Sequence, residues 1–339
     1  MKKHLLRFLG LLIIAASLAV GFFWKDYEVF TLRHLVVNEQ NKVFVVKPGS
    51  SVQRIANELF EQGIIIRPHY FAWAARWQNK AHRIQSGEYL LSNKMTALDL
   101  LDDMAEGKVM QHGLTVVEGW TFAQLRQALA QHPAIKHTLE GKSAAEVMSL
   151  LGHPGQHPEG RFYPDTYYFP RGLSDIDFLK RAYEVMDQQL NTYWEGRAAG
   201  LPYKTPYEAL IMASIIEKET AVPAERPAIA GVFVRRLQKR MRLQTDPTVI
   251  YGLGEGYDGN LRRNDLTTDT PYNTYTRFGL PPTPIALPGG ESIKAALHPD
   301  ASDAVYFVAR GDGTHAFSAT LEQHNQAVVK YQLKGNKPR

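Results

Sequence analysis

Glu217-Lys218-Glu219 closes an apolar run, Ala209-Leu210-Ile211-Met212-Ala213-Ser214-Ile215-Ile216, and this junction of acid and apolar rod is the sharpest chemical feature of the chain. A run that is apolar on every side predicts a helix buried all round. Thr205-Pro206-Tyr207-Glu208 in front of it has the spacing of a capping box with proline at the first helical position, so the helix is expected over 205–220. A carboxylate delivered from the end of a buried rod is only partly hydrated. Desolvation then raises its pKa toward a value suited to general acid catalysis. Glu219 shares a helical face with Met212, Ile215 and Ile216, and Glu217 shares one with Leu210, Ala213 and Ser214. Helical geometry thus separates the two acids without deciding which meets a substrate. The plainer alternative is a solvated pair at a helix end with Lys218 as local partner.

Other reactive residue types carry less. His153-x-x-x-His157 has the i,i+4 spacing of a metal pair, but Pro154 and Gly155 disfavour a helix there and no HExxH or carboxylate-rich motif accompanies it. Surface-loop histidines and no metal site are expected. Arg235, Arg236, Lys239, Arg240 and Arg242 read as a solvated basic helix face and turn. There is no G-x-S-x-G, P-loop or dinucleotide fingerprint, so a serine hydrolase, an ATPase and a dehydrogenase have no support and no cofactor is expected. The absence of cysteine excludes thiol nucleophiles, disulfides and Cys-ligated zinc or iron–sulfur clusters.

The elements that must position these residues begin with an apolar segment. Phe8 to Trp24 carries no charge, and with Leu5 and Leu6 it makes about 20 largely apolar residues, enough to cross roughly 30 Å of hydrocarbon. Lys2, Lys3 and Arg7 precede it while Lys25 and Asp26 cancel after it, which places the N-terminus in the cytoplasm and the rest of the chain across the membrane. A cleaved signal peptide with Ser17-Leu18-Ala19 as its site is the competing reading. The apolar run continues past that site through Val20, Phe22, Phe23 and Trp24, which favours an uncleaved anchor. Three of the 39 basic residues lie before the run, leaving 36 against 34 acidic ones, so nothing resembles a nucleic-acid-binding surplus.

With 339 residues, 44% hydrophobic and 22% charged, the chain has room for two to three folded units. Residues 25–42 read as a spacer. A small module is expected over 43–110: a strand at Val43-Phe44-Val45-Val46 broken by Lys47-Pro48-Gly49, then a helix with Val52, Ile55, Ala56, Leu59 and Phe60 on one face. A second helix after Pro68 follows, with Tyr70, Phe71, Trp73, Ala74 and Trp77, then a strand from Gly87 and a helix from Thr96. A larger domain is expected over 111–339. It has a strand at Leu114–Val117 and helices at Thr121–Ala130, Asp175–Trp194, Thr205–Thr220 and Pro223–Lys239. Between Gly252 and Gly290 the chain is irregular, as in a binding groove or lid. A strand and turn from Ala304 and a helix over Thr320–Leu333 end it. The class is α+β: an N-terminal transmembrane helix, a small module and a larger mixed α/β domain.

The strand, Pro-Gly turn and helix with Ile55-Ala56 resemble the opening of a LysM-type module, known for binding the glycan of peptidoglycan or chitin; a generic α+β spacer is the alternative. Further on, Glu159-Gly160, Phe162-Tyr163-Pro164-Asp165-Thr166-Tyr167, Ala213 to Thr220, Arg242 to Gly252, Tyr272-Asn273-Thr274-Tyr275 and Gly279-Leu280-Pro281-Pro282 occur in order, with Ile285, Pro288 and Gly289 close behind. These blocks resemble the signatures of the MltG-type endolytic peptidoglycan (murein) transglycosylases, the YceG-like family. The resemblance covers nearly the whole chain. It implies an enzyme of the bacterial inner membrane, single-pass with its catalytic domain in the periplasm, that cuts nascent glycan strands internally, with peptidoglycan synthases as partners. It places the catalytic acid at Glu219, with Glu217 as fallback. Gln244, Thr245, Asp246, Tyr272 and Asn273 would line the groove and bind sugar hydroxyls and acetamido groups, although Asp246 could equally cap its own turn before Pro247. Glu159 and Asp165 are weaker groove candidates, and His315, His324 and Asn325 match family positions as fold supports. Two alternatives stand beside the lyase. One is a hydrolytic muramidase with Asp165, Asp246 or Asp269 as second carboxylate. The other is a non-catalytic peptidoglycan-binding scaffold.

Overall fold

A computed structural model describes residues 2–333, which divide into two compact units. The first comprises the residues up to His112 together with Tyr168–Arg171; the second comprises Gly113–Tyr167 and the residues from Gly172 onward.

The first unit starts with α1 (Lys2–Leu32), whose segment Leu6–Leu32 is long and apolar enough to cross a membrane. Its apolar side chains from Leu6 to Phe22 are exposed, but Phe30 at its far end is 2% exposed and belongs to the core of the unit, as does Leu35 at 3%. The expected spacer at 25–42 is therefore helical to Leu32 and packed. Its mixed polar and charged residues hid it, because only one side of this stretch is covered. Next come β1 (Val43–Val46), α2 (Val52–Glu61), α3 (Pro68–Trp77), β2 (Gly87–Leu90) and α4 (Ala97–Glu106). Strands β1 and β2 pair antiparallel with Phe44 opposite Tyr89. Ser51 caps α2 by accepting the Arg54 N–H, and the buried Val52, Ile55, Ala56 and Leu59 follow the 3.6-residue period. Thr96 and Asp99 form a reciprocal capping box on α4, and Gly107 ends it at φ 73°, a left-handed conformation that glycine adopts without a Cβ clash. On α3 the buried residues are Tyr70, Phe71, Ala72, Ala74 and Ala75, whereas Trp73 and Trp77 point outward.

In the remainder, β3 (Gln111–Thr115) pairs with β4 (Thr166–Pro170), three residues upstream of the expected strand start. Between them lie α5 (Phe122–Gln131) and α6 (Ala144–Leu150), each opened by a capping box, Thr121 with Gln124 and Ser143 with Glu146. The second unit is then built around α8 (Pro206–Glu219), packed by α7 (Asp175–Glu195), α9 (Arg226–Gln238), α10 (Asp246–Leu253) and, most extensively, α12 (Gly290–Leu297). Short α11 (Arg263–Thr267) interrupts the irregular stretch before α12. The hairpin β5 (Tyr306–Ala309) and β6 (His315–Ser318) follows, then α13 (Leu321–Val328) and a π-helical turn to Leu333. Every residue of α8 from Ala209 to Ile216 is at most 4% exposed. Its lone buried hydroxyl, Ser214, donates to Ile211 O at 2.7 Å and accepts the Ile285 N–H at 3.0 Å, pinning the 283–287 segment across the helix. The protein is thus mixed α and β with helices carrying the core. The expected solvated basic face is not one at Arg235 and Arg236: Arg235 bonds Ala304 O and Asp300 O, and Arg236, 8% exposed, bonds Val305 O, Arg242 O and Leu243 O. Guanidinium forks here tie α9 to loops that have no regular partner.

Candidate active site

Glu219 is the last residue of α8, beyond which Thr220 turns to an extended conformation. Its side chain is partly buried and opens on a cleft of about 400 Å³ in the second unit. The Thr245 hydroxyl donates to Glu219 Oε2 at 2.9 Å. Burial pushes the Glu219 carboxyl up to about 7; the Thr245 hydrogen bond and the His315 ring oppose that, and the Asp246 carboxylate adds to it. A carboxylic acid that keeps its proton near neutrality and faces an open cleft can protonate a leaving group and later act as its base.

Glu217, two residues earlier, has the opposite surroundings. Its side chain is 6% exposed; Oε1 accepts from Arg226 Nη2 at 3.2 Å and Oε2 accepts the Gly289 N–H at 3.0 Å. Both oxygens are engaged in joining α8, α9 and the start of α12. Lys218 reaches the Gly119 carbonyl at 3.3 Å instead of either acid.

Thr245 is held in register by a second segment. The Gln244 N–H donates to Thr274 O, the Thr245 N–H to Thr274 Oγ1, and the Thr248 and Thr274 hydroxyls lie 2.9 Å apart. Gln244 adopts φ 52°, an uncommon left-handed conformation for a residue with a Cβ, which turns the chain so that Thr245 faces inward and Gln244 lines the cleft. Gln244 Oε1 accepts from Arg236 Nη1 at 3.3 Å. Asp246 also lines the cleft, and its Oδ1 accepts from the Tyr275 hydroxyl at 2.5 Å rather than from its own turn.

Of the residues expected to bind sugar, the structure brings Gln244 and Asp246 to the cleft beside Glu219 and keeps three others out of it. Thr245 is 2% exposed and touches the acid. Asn273 is 1% exposed, its amide nitrogen donating to the carbonyls of Asp265, Leu266 and Thr268 while its oxygen accepts the Tyr275 N–H. Tyr272 packs edge-to-face on Tyr251 and shares a 2.8 Å hydrogen bond with the Thr283 hydroxyl. Asn273 and Tyr272 therefore hold the loop through these contacts. Glu159, 3% exposed, accepts the Phe122 N–H at 2.9 Å, the first orphan donor of α5, and the Tyr251 hydroxyl at 3.0 Å; burial holds its carboxyl at about 7. Next to it Gly160 sits at φ 78°, where a Cβ would approach Pro284 to 2.5 Å. Asp165 accepts the N–H of the neighbouring Thr166. Asp269 is clasped by Arg277 through two 2.9 Å contacts, and that guanidinium holds its carboxyl down to about 2. His153 stacks on Tyr183, His157 Nδ1 accepts the Glu159 N–H, and no cluster of metal-ligating side chains occurs among the described residues.

Four cleft residues received no part in the chemistry from residue type and spacing. Tyr275 lies within a recognised block but acts through Asp246, 29 residues away. Arg236 is indistinguishable in sequence from its basic neighbours. His315 lines the cleft with its backbone N–H and Nδ1 both 2.8 Å from the Glu225 carboxylate, which orients the ring and puts the proton on Nδ1. His324 stacks on Tyr306 at the same wall.

The sequence profile of the YceG-like family matches residues 44–330. An endolytic murein transglycosylase of Bacillus subtilis (strain 168) is 34% identical over 305 residues, covering 84% of this chain and 83% of that protein. The endolytic murein transglycosylase of Streptococcus pneumoniae (strain D39) is 27% identical over 364 residues, 95% of this chain but 64% of its own length. The 2.6 Å crystal structure of a yceG-like protein from Listeria monocytogenes superposes with a TM-score of 0.53 at 33% identity, over 84% of this chain and 98% of that one. A profile match over most of the chain, and a relative this similar over most of both lengths, show that the chain belongs to the YceG-like family.

Proposed function

We propose that this protein is a membrane-anchored endolytic murein transglycosylase that cleaves nascent glycan strands between MurNAc and GlcNAc, with Glu219 as its single catalytic acid. The observation that carries the reading is the state of Glu219: a carboxyl raised to about 7, oriented by Thr245 and open to the cleft, while Glu217 has both oxygens engaged. Protonated Glu219 gives its proton to the glycosidic oxygen as the bond to MurNAc C1 breaks. The resulting carboxylate takes the proton of the MurNAc C6 hydroxyl, whose oxygen bonds C1 and closes the 1,6-anhydro ring. The nucleophile belongs to the substrate, so no second carboxylate need activate water, unlike most glycosidases. Gln244 and Asp246 are the groove residues of this reading, Thr245 positions the acid, and Tyr272 and Asn273 support the wall. The names of the Bacillus and Streptococcus relatives support the activity and a peptidoglycan substrate.

A hydrolytic muramidase is the second reading, and Asp246 supports it as the one of the three second-carboxylate candidates that shares the cleft with Glu219. The lyase and the hydrolase differ by one water in their products. Full-length protein and its Glu219→Gln variant, incubated with uncrosslinked glycan strands, are read by mass spectrometry. Internal fragments about 18 Da lighter than hydrolysis products, absent with the variant, are expected from the anhydro closure; reducing ends would give the hydrolase, and uncut strands a scaffold.

The apolar α1 and the charges before it support a single inner-membrane pass with the N-terminus in the cytoplasm and the catalytic domain in the periplasm. That location limits the enzyme to newly made strands, where it would end their growth beside the synthases that extend them. The 43–110 segment is proposed as a LysM-like glycan-binding module, supported by the strand, Lys47-Pro48-Gly49 turn and capped helix that open it.

A further inference from the structure

The first unit carries an aromatic surface that neither the fold nor the cleft uses. Trp77 is 77% exposed and Trp73 39%, although helix positions four apart with two indoles would ordinarily face a core. Trp77 stacks on Trp73 with ring centroids 5.5 Å apart. Trp73 meets Phe23 of α1 edge-to-face at 6.4 Å and Tyr27 at 5.1 Å, and Phe23 also meets Tyr70 at 5.3 Å. A row of rings therefore runs from the apolar helix onto α3.

The level of that row is set by α1. Phe23 lies 17 residues after Leu6, about 26 Å along a helix, which is close to the far boundary of a hydrocarbon layer about 30 Å thick. Trp24, beside it and 69% exposed, marks the same boundary. The unit cannot swing away from this level. Arg67, which precedes α3, holds Asp26 of α1 through two contacts of 3.2 and 3.3 Å, and Phe30 is buried in the core. Two ring contacts from Phe23, Trp77 is kept at the height where indoles partition best, between acyl chains and headgroups. Arg76, also exposed, follows Trp73 by three residues and can meet lipid phosphate.

We propose that the Trp73–Trp77 face of α3 is a second membrane contact, seated in the interfacial layer of the bilayer that α1 crosses. The proposal rests on the reading of α1 as a membrane span. The occupant is lipid rather than glycan or a second copy of the chain, because the surface is continuous with the apolar helix itself. A soluble partner would have to occupy a space that the bilayer already fills.

Depth-dependent quenching tests it in the full-length protein reconstituted into phosphatidylcholine–phosphatidylglycerol vesicles. Two variants keep one indole each, Trp77 or Trp24, with the other four tryptophans replaced by phenylalanine. A third, Trp77→Phe in the otherwise intact chain, guards against a folding defect in the multiple variants. Vesicles contain phospholipid brominated at shallow or deep acyl positions, and iodide is added from the water side. Trp77 and Trp24 are both expected to lose emission to shallow bromine more than to deep bromine, and both to resist iodide. In the intact chain, Trp77→Phe is expected to lower the fraction of emission that bromolipid quenches. Quenching of Trp24 with Trp77 open to iodide and untouched by bromolipid would overturn the proposal while leaving the span intact. Trp77 shielded from both quenchers would overturn it in favour of a protein contact. If neither indole responds to bromolipid, the span reading fails and the proposal falls with it.

Discussion

At the scale of the residue, Glu217 and Glu219 show how two identical side chains two positions apart acquire different chemistry. Glu217 faces a guanidinium and a backbone donor, whereas Glu219 has one hydroxyl and an incompletely hydrated cleft. Two predictions follow from that asymmetry. The folded pKa of Glu219, about 7, lies above its ordinary 4.5, so the native state binds more protons than the unfolded chain between those values and stability falls as pH rises through that window. Glu219→Gln keeps an acceptor for Thr245 and removes the charge. It should therefore raise stability at pH 8 by about 1–3 kcal/mol and leave it unchanged near pH 4, as read by urea unfolding at both pH values; Glu159, shifted the same way, keeps part of the pH trend in the variant. The same substitution should lower glycan cleavage on the order of 10²–10⁴-fold. Thr245→Val deletes the hydrogen bond that lowers the Glu219 pKa, so the alkaline limb of the rate profile, near 7 in the wild type, should move to higher pH. A limb that stays in place would show that Thr245 does not tune the acid.

At the scale of the element, α8 positions the acid because it cannot be shifted. Its middle is buried on all sides, and its end is tied to α9 and α12 through Glu217. Glu217→Ala would leave Arg226 with Glu118 at 3.7 Å as its remaining ion partner and would orphan the Gly289 N–H. Breaking so buried a pair should cost about 3 kcal/mol in urea unfolding, well beyond the effect of an exposed ion pair. The loop opposite depends on Asn273, whose single amide replaces a missing strand partner for three carbonyls. Asn273→Ala should speed hydrogen exchange over residues 264–277 and reduce turnover, while the Glu219 limb of the pH profile stays put.

At the scale of the whole molecule, the membrane-length apolar segment runs into the core of the first folded unit as one continuous helix, α1. Phe30 sits in the core of that unit, so Phe30→Ala should destabilise it by about 3–4 kcal/mol and expose it to limited proteolysis, although residue 30 lies only six positions beyond the end of the apolar run. The protein should remain in the membrane fraction after alkaline carbonate extraction. Release into the supernatant would contradict a spanning α1.

The sequence by itself determined the local terms. The all-round apolar pattern of 209–216 specified a buried helix, the small polar residues at Thr96, Thr121 and Thr205 marked helix starts, and the uncharged run to Trp24 identified a membrane-length helix. One detail of the last start differs: Glu208 accepts from the Lys204 N–H, one residue before the cap, so the box on Thr205 is only half made. Short elements such as α6, α10 and α12 escaped because seven or eight residues span too few turns for periodicity to tell helix from loop. The resemblance to a family singled out Glu219, but which acid is free, and which polar residues face the cleft, depended on partners such as Thr245 and Gly289, 26 and 72 positions away from the acids they touch. Hydrophobic periodicity encodes which side of an element is buried; it carries no information about which distant hydrogen-bonding group the chain path will bring to it. Thr245, Asn273 and Tyr275 look alike as polar loop residues, and only the folded chain separated the one that touches the acid from the one that holds the loop and the one that reaches Asp246.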